Sequence, residues 1–144
     1  MKMWRKKTVK FIRLPLIDKY LMSKALICVC FVKLGLVCLP FKKFRACFHY
    51  FFRVAVPRNY PDEYVTKVVW SIKAVSGALP FSVSCLPQAL VTKYMLRGDS
   101  LYTLKIGVNV VQEDFCAHAW VEKQQQIIIG DTPLTAYVPI WIWE

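Results

Sequence analysis

Two histidines stand in the chain, His49 and His118, so an imidazole that moves protons must be one of them. His118 sits in Ala117-His118-Ala119-Trp120-Val121-Glu122, and Asp131 follows after Gly130. Upstream, Cys85 lies in Ser84-Cys85-Leu86-Pro87-Gln88-Ala89-Leu90. A thiol, an imidazole and a carboxylate are the parts of nucleophilic acyl transfer: the imidazole takes the thiol proton and the carboxylate holds the imidazole in its useful tautomer. His49 has Phe48, Tyr50 and Phe51 beside it and no acidic neighbour, which reads as a partly buried structural histidine.

Each part needs an element to hold it. Ser84 is a helix-cap residue, Pro87 suits a first turn, and Leu86, Ala89, Leu90 and Tyr94 recur at helical spacing, so Cys85 is expected at the start of a helix. Unpaired amides and the helix dipole favour a thiolate there, and the Cys85 N–H is a natural oxyanion donor. After Gly98-Asp99-Ser100, residues 101–111 alternate Leu104, Ile106, Val108 and Val110 with Thr103, Lys105, Gly107 and Asn109, the pattern of a strand with one buried face. Residues 115–122 and 126–129 read as two more strands joined as a hairpin. A turn centred on Gln124-Gln125 makes Glu122 face Ile127 and His118 face Asp131, and directly opposed side chains have Cβ atoms about 4.5–5.5 Å apart. A register slip of one residue would undo that pairing.

Rival residues are weaker. Asp114 and Glu122 each lie four residues from His118 on its own strand, roughly 13 Å away at about 3.3 Å per residue. Cys116 shares the His118 face but lacks the helix-end environment.

The runs around Cys85, Leu104-Lys105-Ile106-Gly107-Val108, and Phe115 to Glu122 followed by Gly130-Asp131 resemble the transglutaminase-like leader peptidases of lasso-peptide biosynthesis. These are the bacterial B proteins in which the peptidase is a separate chain. The likeness is close over residues 65–135 and looser over 14–48. It implies an α+β, transglutaminase-like or papain-like cysteine protease core, a nucleophile-bearing helix packed on a small antiparallel sheet with N-terminal helices. Carried over by position, Cys85 is the nucleophile, His118 the base and Asp131 the orienting carboxylate. The resemblance also implies a lasso precursor peptide as substrate, cleaved at the leader–core junction, and an ATP-dependent lasso cyclase downstream. Residues 1–60 do not look like the leader-recognition domain of fused B proteins, so a separate leader-recognition protein is the expected partner. Another Cys-His-Asp acyl-transfer enzyme, such as a transglutaminase or amidase, remains an alternative, as does a non-enzymatic membrane-associated adaptor.

One domain suits 144 residues, with 1–60 as a basic, hydrophobic helical segment of it and 61–144 as the catalytic core. Residues 1–60 hold 14 Lys/Arg and one acid, residues 61–144 hold 6 and 8, so the net charge of +11 belongs to the front. Residues 1–13 interleave basic and aromatic side chains, as a solvated arm, a contact for an anionic membrane, or a phosphate-tracking segment would; no nucleic-acid motif supports the last. Residues 14–40 have the apolar body of a membrane segment, but Asp18, Lys19, Lys24 and Lys33 interrupt it and no small-residue cleavage site follows. A helix buried against the catalytic domain is the expectation; a membrane-lying helix or a span is the alternative.

Pro40 breaks the chain before a second amphipathic helix over 44–54, and Asp62-Glu63 open a third whose Val65, Val68, Val69 and Ile72 form a core stripe. Trp70 is placed to wall a cleft. Cys28, Cys30, Cys38 and Cys47 read as reduced core residues of a cytoplasmic protein, and no cysteine–histidine spacing suits a metal. No glycine-rich phosphate loop is present, so no cofactor is expected. The tail with Tyr137, Trp141 and Trp143 is expected to pack against the helices.

Overall fold

The computed structural model describes residues 14–52, 56–111, 114–130 and 137–143. Among the described residues four helices precede four strands: α1 (Leu16–Cys38), α2 (Phe41–Phe52), α3 (Asp62–Ala78), α4 (Cys85–Met95), β1 (Tyr102–Val111), β2 (Asp114–Lys123), β3 (Gln126–Ile129) and β4 (Val138–Trp143). The strands form one antiparallel sheet in the order β3-β2-β1-β4. The expected α+β arrangement is what the chain adopts.

α4 is the hub. It packs against α1, α3, β1, β2 and β3, and Ala89, Leu90, Val91, Thr92, Lys93 and Met95 are all buried. Its buried lysine is not left charged and alone: Lys93 Nζ donates to the Tyr102 carbonyl at 2.5 Å, fastening the helix to the first strand. α3 presents Val65, Val68, Ile72 and Val75 to the core, the expected stripe extended by a turn, while Trp70 is exposed. The connection before α3 is tied to the turn after α4. Arg58 N–H donates to the Gly98 carbonyl at 2.8 Å, and buried Asp99 accepts from the Tyr60 and Leu101 amides at 3.2 and 3.0 Å.

α1 meets its expectation on one side only. Leu21, Ala25, Val29 and Val32, spaced four, four and three apart, are buried against α3 and α4. Burying Leu21 alone contributes about 2 kcal/mol. On the opposite side Leu16, Tyr20, Ile27, Phe31, Leu34 and Val37 are exposed. The cysteine expectation is corrected accordingly: Cys28 is half-buried, but Cys30, Cys38 and Cys47 are exposed rather than core residues.

The tail also departs from expectation. It does contact a helix, Trp141 against Phe41 and Trp143 against Phe48, but it does so as β4, a strand added to the free edge of β1.

Candidate active site

The local sequence around Cys85 behaves as its residue types dictate. Ser84 is the cap residue, in extended conformation with φ −70° and ψ 177°, and Cys85 is the first residue of α4. Ser84 makes no side-chain capping bond, and Gln88 Nε2 donates back to the Val83 carbonyl at 2.9 Å, pinning the chain as it enters the helix. Helix geometry leaves the Cys85 and Leu86 amides without intrahelical acceptors, and Pro87 has no N–H, so two donors remain at the helix start. The Cys85 side chain is half-buried against the core.

The hairpin turn falls where the sequence places it. Gln124 and Gln125 both take positive φ, 49° and 68°, the mirror-image two-residue turn that matches strand twist. Glu122 pairs with Ile127 and Lys123 with Gln126, as expected. One step further the expectation fails: the register shifts between Val121 and Glu122, so Val121 pairs with Ile129. The extra residue sits on β3, and simple counting no longer sets His118 opposite Asp131. Described pairing ends at Ile129; Gly130 follows, with φ +89°, where a Cβ would lie 2.5 Å from the Ala119 carbonyl oxygen and 2.9 Å from Trp120 Cα. Only glycine allows that approach. Asp131, the next residue in sequence, lies outside the described residues, as do residues 1–13.

Strand alternation sorts β2 into two faces. Ala119 and Val121 join the core formed with α4. His118, Trp120 and Glu122 take the other face. There the His118 ring is flanked by Trp120, centroids 6.2 Å apart and planes 18° apart, and by Tyr137 at 5.3 Å and 34°. Trp120 Nε1 donates to Glu122 Oε2 at 3.0 Å, and Lys105 Nζ contacts Glu122 Oε1 at 2.6 Å. Burial pushes the Glu122 carboxyl up, but the Lys105 ammonium and the Trp120 N–H more than offset it and hold the group below its ordinary range. Gly107 on β1 lies directly across from His118, and a Cβ there would meet both Trp120 and Tyr137 at 2.9 Å. A bare backbone at 107 thus makes room for the rings beside the histidine.

His118 Nε2 is buried, and no described residue hydrogen-bonds it. Such an atom is costly to leave unpaired and is a place for a partner. Glu122 is not that partner, being held by Trp120 and Lys105. No hydrogen bond joins Cys85 to His118; α4 packs against β2, but His118 takes the face opposite Ala119 and Val121. Beyond Val121, the neighbour of β2 among the described residues is β1.

The rival thiols separate by environment. Cys116 is exposed on β2, paired with Asn109. Burial pushes the Cys28 thiol up, only partly offset by Lys24 and Arg97, so it is a poor nucleophile. Of Asp114, the described part is its backbone pairing with Val111 at the far end of the ladder.

Sequence reasoning missed the scaffold around His118, although Trp120 and Glu122 at the second and fourth positions after it share its strand face. It also misplaced His49, which is exposed and stacks on Trp143 at 5.9 Å, 25° between planes. Lys42, Arg45, His49, Trp141 and Trp143 line a groove of about 500 Å³ between α2 and β4, and Arg45 lies over the Trp141 ring at 4.6 Å. A second groove, about 590 Å³, runs between α3 and the hairpin with Asp62, Thr66, Lys123 and Gln126 in its lining. Neither includes Cys85 or His118.

Neither a curated protein nor a solved structure matches the chain. A family model does, from residue 35 to residue 142, a span running from the last turns of α1 through α4 and the His118 strand into β4. That span covers well over half of the sequence, so the chain belongs to the transglutaminase-like superfamily, whose members are typically cysteine peptidases or acyl transferases.

Proposed function

We propose that this chain is the peptidase that removes the leader from a ribosomally made lasso precursor peptide. The observation that carries a thiol mechanism is the placement of Cys85 as the first residue of the central helix, with free amide donors beside its sulfur and the His118 strand packed against the same helix. Resemblance of the Cys85, His118 and Asp131 motifs to the standalone B proteins supplies the substrate. Cys85 thiolate attacks the scissile carbonyl, and the Cys85 N–H receives the oxyanion. His118 protonates the departing amine, the C–N bond breaks, and water then hydrolyses the thioester with His118 as base. Asp131 orients the imidazole through one ring nitrogen, and buried, unpartnered Nε2 suits that role. The other nitrogen must reach the Cys85 sulfur. His118 lies on the sheet face opposite α4, so that contact forms only when substrate binding rearranges the His118 segment of β2. A separate leader-recognition protein delivers the peptide, and an ATP-dependent cyclase consumes the released core.

Mass spectrometry of a candidate precursor incubated with the protein and its recognition partner tests this. Cleavage at one bond is expected, reduced by at least about 10³-fold in Cys85→Ala and His118→Ala and retained in Cys116→Ala. Loss in Cys116→Ala alone would overturn the assignment of the nucleophile. Superfamily membership favours one second reading, transfer of the acyl group to an amine, and an amine adduct in place of the hydrolysed product would establish it.

A further inference from the structure

A helix with two apolar stripes needs both covered. α1 is covered on one. Opposite its buried stripe, Leu16, Tyr20, Ile27, Phe31, Leu34 and Val37 all point outward, Leu16 84% and Phe31 71% exposed. At 1.5 Å per residue the stripe is about 30 Å long. On the helical wheel Lys24 falls on one border and Lys19 and Lys33 on the other, Lys33 also donating to the Ser82 carbonyl at 3.1 Å. α2 adds exposed Lys42, Lys43 and Arg45, with Tyr50 75% and Phe51 60% exposed.

Three occupants could cover such a stripe, and its charge and packing favour one. α1 is long and apolar enough to span a bilayer, but Leu21, Ala25 and Val29 have no exposed surface and pack against α3 and α4, so spanning would tear out the core. A second copy would bring a segment of 14 basic residues and one acid against another of the same charge. An anionic lipid surface satisfies both features at once: acyl chains take the stripe and headgroup phosphates take the lysines.

We propose that α1 seats the protein in the plane of an anionic bilayer, its outward stripe in the acyl boundary and its bordering lysines, with those of α2, at the headgroups. This is independent of the peptidase reading. The full-length chain is floated with vesicles of phosphatidylcholine alone and with about one-third phosphatidylglycerol. Expected is binding to the anionic vesicles only, weakened by salt, and at least about 10-fold weaker in the triple variant Ile27→Glu, Phe31→Glu, Leu34→Glu. A second variant, Lys19→Gln, Lys24→Gln, Lys42→Gln, Lys43→Gln, leaves the apolar stripe intact and is expected to lose the preference for phosphatidylglycerol. Wild type that stays with the soluble fraction, or a folded triple variant that floats as well as wild type, would overturn the proposal. So would a solution dimer dissolved by the triple variant without vesicle binding, or retention in membranes through an alkaline wash, which indicates a span.

Discussion

The two faces of the sheet carry different loads. Toward the helices, Leu104, Ala119 and Val121 are essentially unexposed and apolar, the Tyr102 ring is buried beside them, and these side chains hold the fold together. Toward the other side, His118, Trp120, Glu122 and Lys105 form a chain of ring stacking and hydrogen bonds, with His118 Nε2 lacking a partner among the described residues. A period of two residues separates them. Alternate positions of one strand therefore differ in what they contribute, and stability and chemistry should fail separately when each is damaged.

The sharpest test compares Leu104→Ala with His118→Ala in urea denaturation. Leu104 is fully buried, and its truncation should cost about 2–5 kcal/mol. Removing the His118 ring sacrifices its contacts with Trp120 and Tyr137 outside the apolar core, so its cost should stay at about 1 kcal/mol while cleavage disappears. Equal destabilisation by the two would erase the distinction between the faces.

Gly130→Ala should damage both faces together. The side chain would meet the Ala119 carbonyl, and φ at +89° is strained for alanine, so a loss of about 1–3 kcal/mol is expected. Because the same clash displaces Trp120, turnover should fall as well; a variant with wild-type midpoint and wild-type rate would show that the hairpin end is not held against β2.

The smallest effect belongs to Glu122. Burial raises its carboxyl and Lys105 with Trp120 lowers it further, so the folded value lies below the ordinary one near 4.5. Stability from this group is therefore present above the ordinary value and is lost as pH falls through the folded value. Thermal melts of wild type and Glu122→Gln from about pH 6 to pH 3 should show a shallower acid decline in the variant. Parallel declines would mean the network on the outer face holds no charge worth protecting.

Much of this was legible in the residues. Cys85 at a helix start followed from Ser84, Pro87 and the apolar spacing after them, and the turn at Gln124-Gln125 followed from two strand-like runs flanking a polar segment. These are local determinants, satisfied within a few residues of chain. The basic front was likewise open to counting. What only the tertiary structure decided has a common cause: a pattern defines a face but not what lies against it. The register shift at Val121/Glu122 is a backbone irregularity that residue types do not announce, yet it sets Val121 against Ile129 and not Ile128. Likewise, nothing in the tail's aromatic run distinguishes packing on helices from pairing with β1, because both bury Trp143. And α1, apolar on two sides in sequence, acquired a covered and an uncovered side only when α3 and α4 came to lie along Leu21, Ala25 and Val29.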